Sequence, residues 1–296
     1  MQNTIEGDRG LSELLNQIND SQISSIKRVV QEIVRVISEP SSTAKELKEI
    51  IELDPPLTAR VLRFANSAYF GRTRRISEIQ QAVIWIGFDS LKEIALSQKV
   101  CELFKQDDQY AGYSRLQLWK HSVGAALCGK FIYRREFGER GDAMYAAGLL
   151  HDIGIIIIDQ LMNEKFSQIL DVRQSEQRNI PEIEQEILGF THADIGKVLA
   201  ENWGLPEHLV AAIGHHHNPD HTEPEMRRMP MVLFVSDYIC HKNGIGYADA
   251  PFQDETQYRH YLQTLGIREK ALEYIMLEVQ KEIAKLEDDG WFHYDG

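Results

Sequence analysis

Residues 54–71 read Asp54-Pro-Pro-Leu-Thr-Ala-Arg-Val-Leu-Arg-Phe-Ala-Asn-Ser-Ala-Tyr-Phe-Gly71. Asp54 and the two prolines stop one helix and open another, because the first helical turn leaves its N–H groups unpaired and so tolerates a residue without one. Leu57, Val61, Leu62, Phe64 and Ala65 follow at three-four spacing, which predicts an amphipathic helix over 57–66 with that face on a core, ended by a turn at Gly71. Outward from it the same period continues. Upstream, apolar residues fall at 26, 29, 30, 33, 34 and 37, and Ser41-Ser-Thr43 behind Pro40 reads as the cap of a helix over 44–53. Downstream, helices are expected over 76–86 and 89–104, punctuated by Gly87. The polar, turn-rich stretch 105–114 is the expected lobe boundary, which gives an N-terminal helical lobe at 1–108 and a second lobe at 109–296. In the second lobe, helices are predicted over 116–137, 142–159, 163–174, 181–188, 191–203, 206–216, 229–241, 256–265 and 268–286. No period-two strand and no internal repeat interrupts this pattern, so the fold class is all-α.

Composition narrows the function classes. Of 296 residues, 32 are Lys or Arg and 45 are Asp or Glu, a net charge of −13 that opposes bulk DNA or RNA binding. Cys101, Cys128 and Cys240 are an odd number, far apart and without a CxxC pair, as in a reduced, cytoplasmic protein. The polar N-terminus carries no signal-peptide pattern, and the strongest apolar run, 153–158, is too short to span a bilayer. Arg60, Arg63, Arg72, Arg74 and Arg75 gather local basic charge. They read either as a solvated face paired with nearby carboxylates or as a patch for a partner or a phosphate.

The second lobe carries the chemistry. His121 sits on the predicted helix 116–137, His151-Asp152 ends the apolar run Ala146-Ala-Gly-Leu-Leu150, and His192 opens the helix after Thr191. His215-His216-His217 closes another helix, and Asp237 lies within Val235-Ser-Asp-Tyr-Ile239. Imidazoles and carboxylates on otherwise apolar helices must satisfy one another or be costly to bury. A shared transition metal is the simplest way, since this mixture suits iron, manganese, zinc, cobalt or nickel better than calcium or magnesium. Lys120 and Lys197 are the nearest candidates for holding a phosphate, although exposed helix lysines are the plainer reading.

The 54–71 segment, with Ile76-Ser77, Gln81-Ala-Val83, Ile86-Gly87 and the ordered set H…HD…H…HH…D, resembles the HDOD family over about residues 15–285. These are bacterial signalling proteins whose output domain is related to HD phosphohydrolases. The resemblance implies an N-terminal helical bundle packed on an HD-type helical domain. It implies two metal ions, iron ahead of manganese: one on His121, His151, Asp152 and Asp237, the other on Asp152, His192, His216 and His217. In an active relative Asp152 would bridge the ions and position a hydroxide. The double histidine aligns with His216-His217-Asn218-Pro219 and leaves His215 over, while His208, His221, His241, His260 and His293 match no family position. The cyclic-di-GMP phosphodiesterases among the relatives carry HDxGK and a Gly-Tyr-Pro, whereas this chain has Ile155 for the lysine and Asn218-Pro219-Asp220 after the histidines. Gln117 stands where some relatives place a glutamate for a third metal. The expectation is therefore an HDOD-type signalling protein with an intact dinuclear site, acting on a separate protein partner or a small nucleotide. A metal-dependent phosphohydrolase is the alternative, and a di-iron oxygenase ranks third.

Overall fold

A computed structural model describes residues 10–11, 14, 16–18, 22–67, 70, 76–105, 110–246, 255–289 and 291–292. Helices α1 (Gln22–Ser38), α2 (Ala44–Glu52), α3 (Pro55–Ala65), α4 (Ile79–Ile86) and α5 (Phe88–Val100), the last prolonged by a 3₁₀ turn at Cys101–Phe104, form the N-terminal part. Then follow α6 (Arg115–Glu136), α7 (Asp142–Leu150), α8 (Ile153–Leu161), α9 (Asn163–Glu176), α10 (Ile180–Leu188), α11 (His192–Asn202) and α12 (Glu207–Gly214). Helices α13 (Arg228–Lys242), α14 (Glu255–Leu265) and α15 (Glu269–Asp288) complete the chain. Among the described residues there is no strand, so the fold is all-α as the periodicity implies. The expected boundary at 108/109 falls beside or within residues outside the described set.

Local chemistry explains the helix starts. Thr43 and Glu46 form a reciprocal capping box on α2. The Asp54 carboxylate accepts the Leu57 N–H at 3.0 Å and caps α3, whose Leu57, Val61, Phe64 and Ala65 are buried while Leu62 is only half-buried. One prediction needs correcting. The helix expected over 142–159 is interrupted at His151-Asp152 and resumes as α8. Apolar residues resume at Ile153 directly after the break, so the spacing predicts one helix rather than two. By length and composition Asp142–Leu161 would pass for a membrane span, but 89% of its most apolar window is buried inside the fold.

Helix α6 is the axis of the second lobe, packed against α7, α13 and α15. Helix α5 joins the two parts and is buried on its polar side as well. Its Lys92 reaches Asp142 of α7 at 2.9 Å, its Glu93 pairs with Lys130 of α6, and Ser97 Oγ lies 2.9 Å from the Tyr145 hydroxyl. Lys99 donates to Asp54 at 2.6 Å, which ties α5 to the cap of α3. The interior is one continuous apolar cluster from Leu14 to Phe292. Beyond α15 the chain folds back onto α3, with Trp291 edge-on to Phe64 at 4.1 Å between ring centroids and Phe292 buried.

Candidate metal centre

Four helix ends and two helix interiors converge on one point. His121 projects from α6 and Asp237 from α13, while His151 and Asp152 occupy the break between α7 and α8. His192 is the first residue of α11, held there by a capping box in which Thr191 and Asp194 bond reciprocally. His216 and His217 sit in the turn that follows α12. Gly154 permits the convergence, because a Cβ there would lie 2.0 Å from the His192 carbonyl oxygen and hold α8 away from α11.

Asp152 is central. Its Oδ2 lies 3.2 Å from His151 Nε2 and 3.9 Å from His121 Nε2, and its Oδ1 lies 3.4 Å from His192 Nε2 and 3.7 Å from His216 Nε2. Each oxygen therefore faces one of two donor groups. Asp237 Oδ1 joins the first, 2.9 Å from His121 Nε2 and 4.0 Å from His151 Nε2. In the second group, His192 Nε2 stands 2.9 Å from His217 Nε2 and 3.4 Å from His216 Nε2.

The outer nitrogens fix which way the rings present their lone pairs. His151 Nδ1 faces the Gly148 carbonyl at 2.8 Å, His216 Nδ1 the Ile213 carbonyl at 2.7 Å, and His192 Nδ1 the Glu184 carboxylate at 2.7 Å. These partners only accept, so each Nδ1 carries a proton, and in the neutral form that ligates metal each ring turns an Nε2 lone pair inward. His151 Nε2 is buried with no hydrogen-bond partner, and the Nε2 atoms of His192 and His216 oppose each other as two acceptors. Inward lone pairs around two carboxylates fit a cation. Buried lone pairs without a donor are otherwise costly.

The electrostatics divide the rings. Burial, reinforced by His151 and His192, lowers His216 to about 3, and burial likewise lowers His217, which keeps both rings in the neutral form that ligates metal. At His151 burial opposes charge, but the Asp152 and Asp237 carboxylates outweigh it and raise the ring to about 9, a mark of local negative potential. Burial works against ionised Asp152 too, yet His151, His192 and His121 hold it far below the usual carboxylate range.

The remaining sequence candidates lie elsewhere. His215 faces outward, its Nε2 3.4 Å from Lys197 Nζ on α11. Lys120 pairs with Glu287 of α15. Arg60 pairs with Glu102 beside Lys99, Arg63 is exposed, and Arg72, Arg74 and Arg75 lie outside the described residues. Two residues escaped the sequence reading. Glu184, fully buried on α10, accepts both the backbone N–H and the ring nitrogen of His192. It stands eight residues before its partner, across a turn, with no spacing to betray it. His241 lies 3.0 Å from Asp237 Oδ1, and its four-residue helical spacing from Asp237 was the signal available.

Compared with known protein families, the chain matches the HDOD domain over residues 23–219. It is 27% identical over 270 residues to an uncharacterised protein of Treponema pallidum, covering 86% of this chain and 50% of that one, so the chain spans half the length of that relative. The crystal structure of an HDOD domain protein of unknown function from Geobacter sulfurreducens superposes with a TM-score of 0.74 at 25% identity, over 90% of this chain and 92% of the other. A candidate signal transduction protein from Marinobacter aquaeolei shares the fold, with a TM-score of 0.76 at 20% identity over 98% of this chain and 66% of that one. With two thirds of its length matched by the family and the helical order reproduced in solved members of it, this chain belongs to the HDOD family.

Proposed function

We propose that this chain is an HDOD-type signal-transduction protein whose HD centre holds two transition-metal ions, iron ahead of manganese. The observation that carries the reading is the orientation of the imidazoles: His151, His192 and His216 anchor Nδ1 on acceptors and turn Nε2 towards Asp152. His121, His151, Asp152 and Asp237 would hold one ion, and Asp152, His192, His216 and His217 the other. Bound there, such ions supply Lewis acidity towards a phosphoester and activate water. The chain's own part is to keep Asp152 ionised between the two groups and to exclude bulk solvent from them, since the relative exposure of His121, His151, His192, His216, Asp152 and Asp237 is 6% or less. The signalling output would be a protein partner or a small nucleotide.

Asp152, with one oxygen towards each donor group, also favours the second reading, a metal-dependent phosphohydrolase acting on a nucleotide or another phosphoester. Ile155, buried where the cyclic-di-GMP enzymes carry a lysine, offers no cation to a phosphate and argues against that substrate. Elemental analysis of protein purified without chelators or a His-tag column, under low oxygen, tests the metal. About two equivalents of iron or manganese, lost in Asp152→Ala, are expected. A folded protein with less than about a tenth of an equivalent that also takes up no added metal would sink the reading. Turnover of a phosphoester panel, abolished in Asp152→Asn, would move the assignment to the hydrolase.

A further inference from the structure

A cleft of about 550 Å³ opens where the end of α1, the start of α5 and the end of α6 meet the starts of α7 and α13. Sites that hold a small organic molecule usually measure about 300–1,000 Å³ and favour junctions between packed parts. Phe88, Tyr133, Met144, Met226 and Met229 give the cleft apolar surface, and the three flexible thioethers let that surface adapt to an occupant. No residue of the metal centre lines it. The charges around it do not cancel. Lys92 and Arg140 both go to Asp142 Oδ2, at 2.9 Å each, and Arg228 goes to Glu139 at 2.8 Å. Glu39 is answered by Arg35 from outside the cleft, and burial lowers the pKa of His208, so that ring adds no charge. Every lining Lys and Arg is thus paired, while Glu225, exposed on the turn Pro224–Met226, makes no ion pair among the described residues. Polar atoms are left over as well. Ser38 Oγ, Ser42 Oγ and Asp142 Oδ1 are shut from water and meet no hydrogen-bond partner, and Asp142 as a whole is only 6% exposed. Buried polar atoms without partners are costly, and three of them gathered on one cleft mark a place where an N–H from outside would be favourable.

We propose that this cleft binds a small organic cation, an apolar or aromatic body that carries an amine or amidine group. The body would lie against the methionines and the two rings. The N–H groups would face Glu225 at the rim, and the side-chain rotamer changes that commonly accompany binding would bring the oxygens of Ser38, Ser42 and Asp142 within reach. An anion is disfavoured, because it would meet a surplus carboxylate and cations that are already paired. The site goes beyond the metal reading and does not rest on it. Helix α7 starts at the cleft with Asp142 and ends beside His151, so the occupant would sit at the far end of the helix that leads to the His151-Asp152 pair.

Ligand-observed NMR of the full chain with benzamidine, benzamide and benzoate, a cation, a neutral molecule and an anion of nearly one shape, tests the site. Benzamidine should bind about tenfold more tightly than benzamide, the step that one charge-assisted hydrogen bond gives, and benzoate should not bind. Glu225→Gln, on the exposed rim, should bring benzamidine down to the level of benzamide with unchanged circular dichroism. Ala143→Leu, which puts a larger side chain on the cleft wall, should abolish the binding of both. A folded wild type that binds none of the three at millimolar concentration overturns the site. Benzoate bound as tightly as benzamidine overturns the cationic class, and benzamidine binding unchanged in both variants overturns the location.

Discussion

Along α5, Lys92, Glu93 and Lys99 are buried much as the histidines of the centre are, yet each meets a charge of opposite sign within the chain: Asp142, Lys130 and Asp54. Glu93 Oε1 and Asp142 Oδ1 make no hydrogen bond, but the charge of each carboxylate is answered at its other oxygen. At the centre the inward atoms are imidazole lone pairs and carboxylate oxygens, all of them acceptors when the rings are neutral. The two carboxyl groups show the difference. Burial pushes Glu93 up, with Lys130 pulling the other way. At Asp152 the surrounding imidazoles prevail over burial and hold the group well below its usual range. Burial of polar groups is therefore no sign of a site by itself. The sign is a buried cluster whose donors and acceptors do not balance, as at the centre.

The contrast breaks first if α5 is unpaired. Glu93→Ala strands Lys130 in the interior and should cost about 3–5 kcal/mol in urea unfolding, while the replacement pair Glu93→Leu/Lys130→Met should recover most of it. Both variants should take up metal as the wild type does. A seam variant of intact fold that loses metal would show that the two regions are not independent. A smaller effect sharpens the other side. Glu184→Gln keeps an acceptor for the His192 ring but removes its charge, and should weaken metal affinity about 10–100-fold by chelator competition. Unchanged affinity would mean that Glu184 serves the fold of α10 and α11 rather than the centre.

Much of this was legible in the chain. The all-α class and nearly every helix follow from three-four spacing, proline starts and polar caps, because those signals are local. The break at His151-Asp152 was not legible: apolar residues continue on both sides, and only the packing of α7 and α8 around the centre ends one helix and starts the next. Arg60 read as part of a basic group, but its partner Glu102 lies 42 residues away and meets it through the pairing of α3 with the end of α5. Trp291 on Phe64 is beyond any spacing argument for the same reason. His241 is the instructive omission, since it matches no family position yet stands four residues from Asp237 on the same helix.

The smallest effect concerns how His192 is aimed. As the first residue of α11 it owes its position to the capping box, in which Thr191 Oγ1 accepts the Asp194 N–H at 3.2 Å and Asp194 accepts the Thr191 N–H at 2.8 Å. Thr191→Ala should cost about 1 kcal/mol of stability, the usual loss of such a cap. The consequence for metal is set by what else restrains the ring. Glu184 holds both the backbone N–H and Nδ1 of His192, so two bonds independent of the cap keep Nε2 pointed at Asp152. Thr191→Ala should therefore lower the unfolding midpoint and leave metal stoichiometry intact, whereas Thr191→Ala combined with Glu184→Gln should weaken metal binding by more than the two separate losses together, because each then removes the other's reserve. Strict additivity in that double variant would mean that the helix start and the buried carboxylate act on His192 separately, and that the centre owes its geometry to the surrounding packing rather than to these bonds.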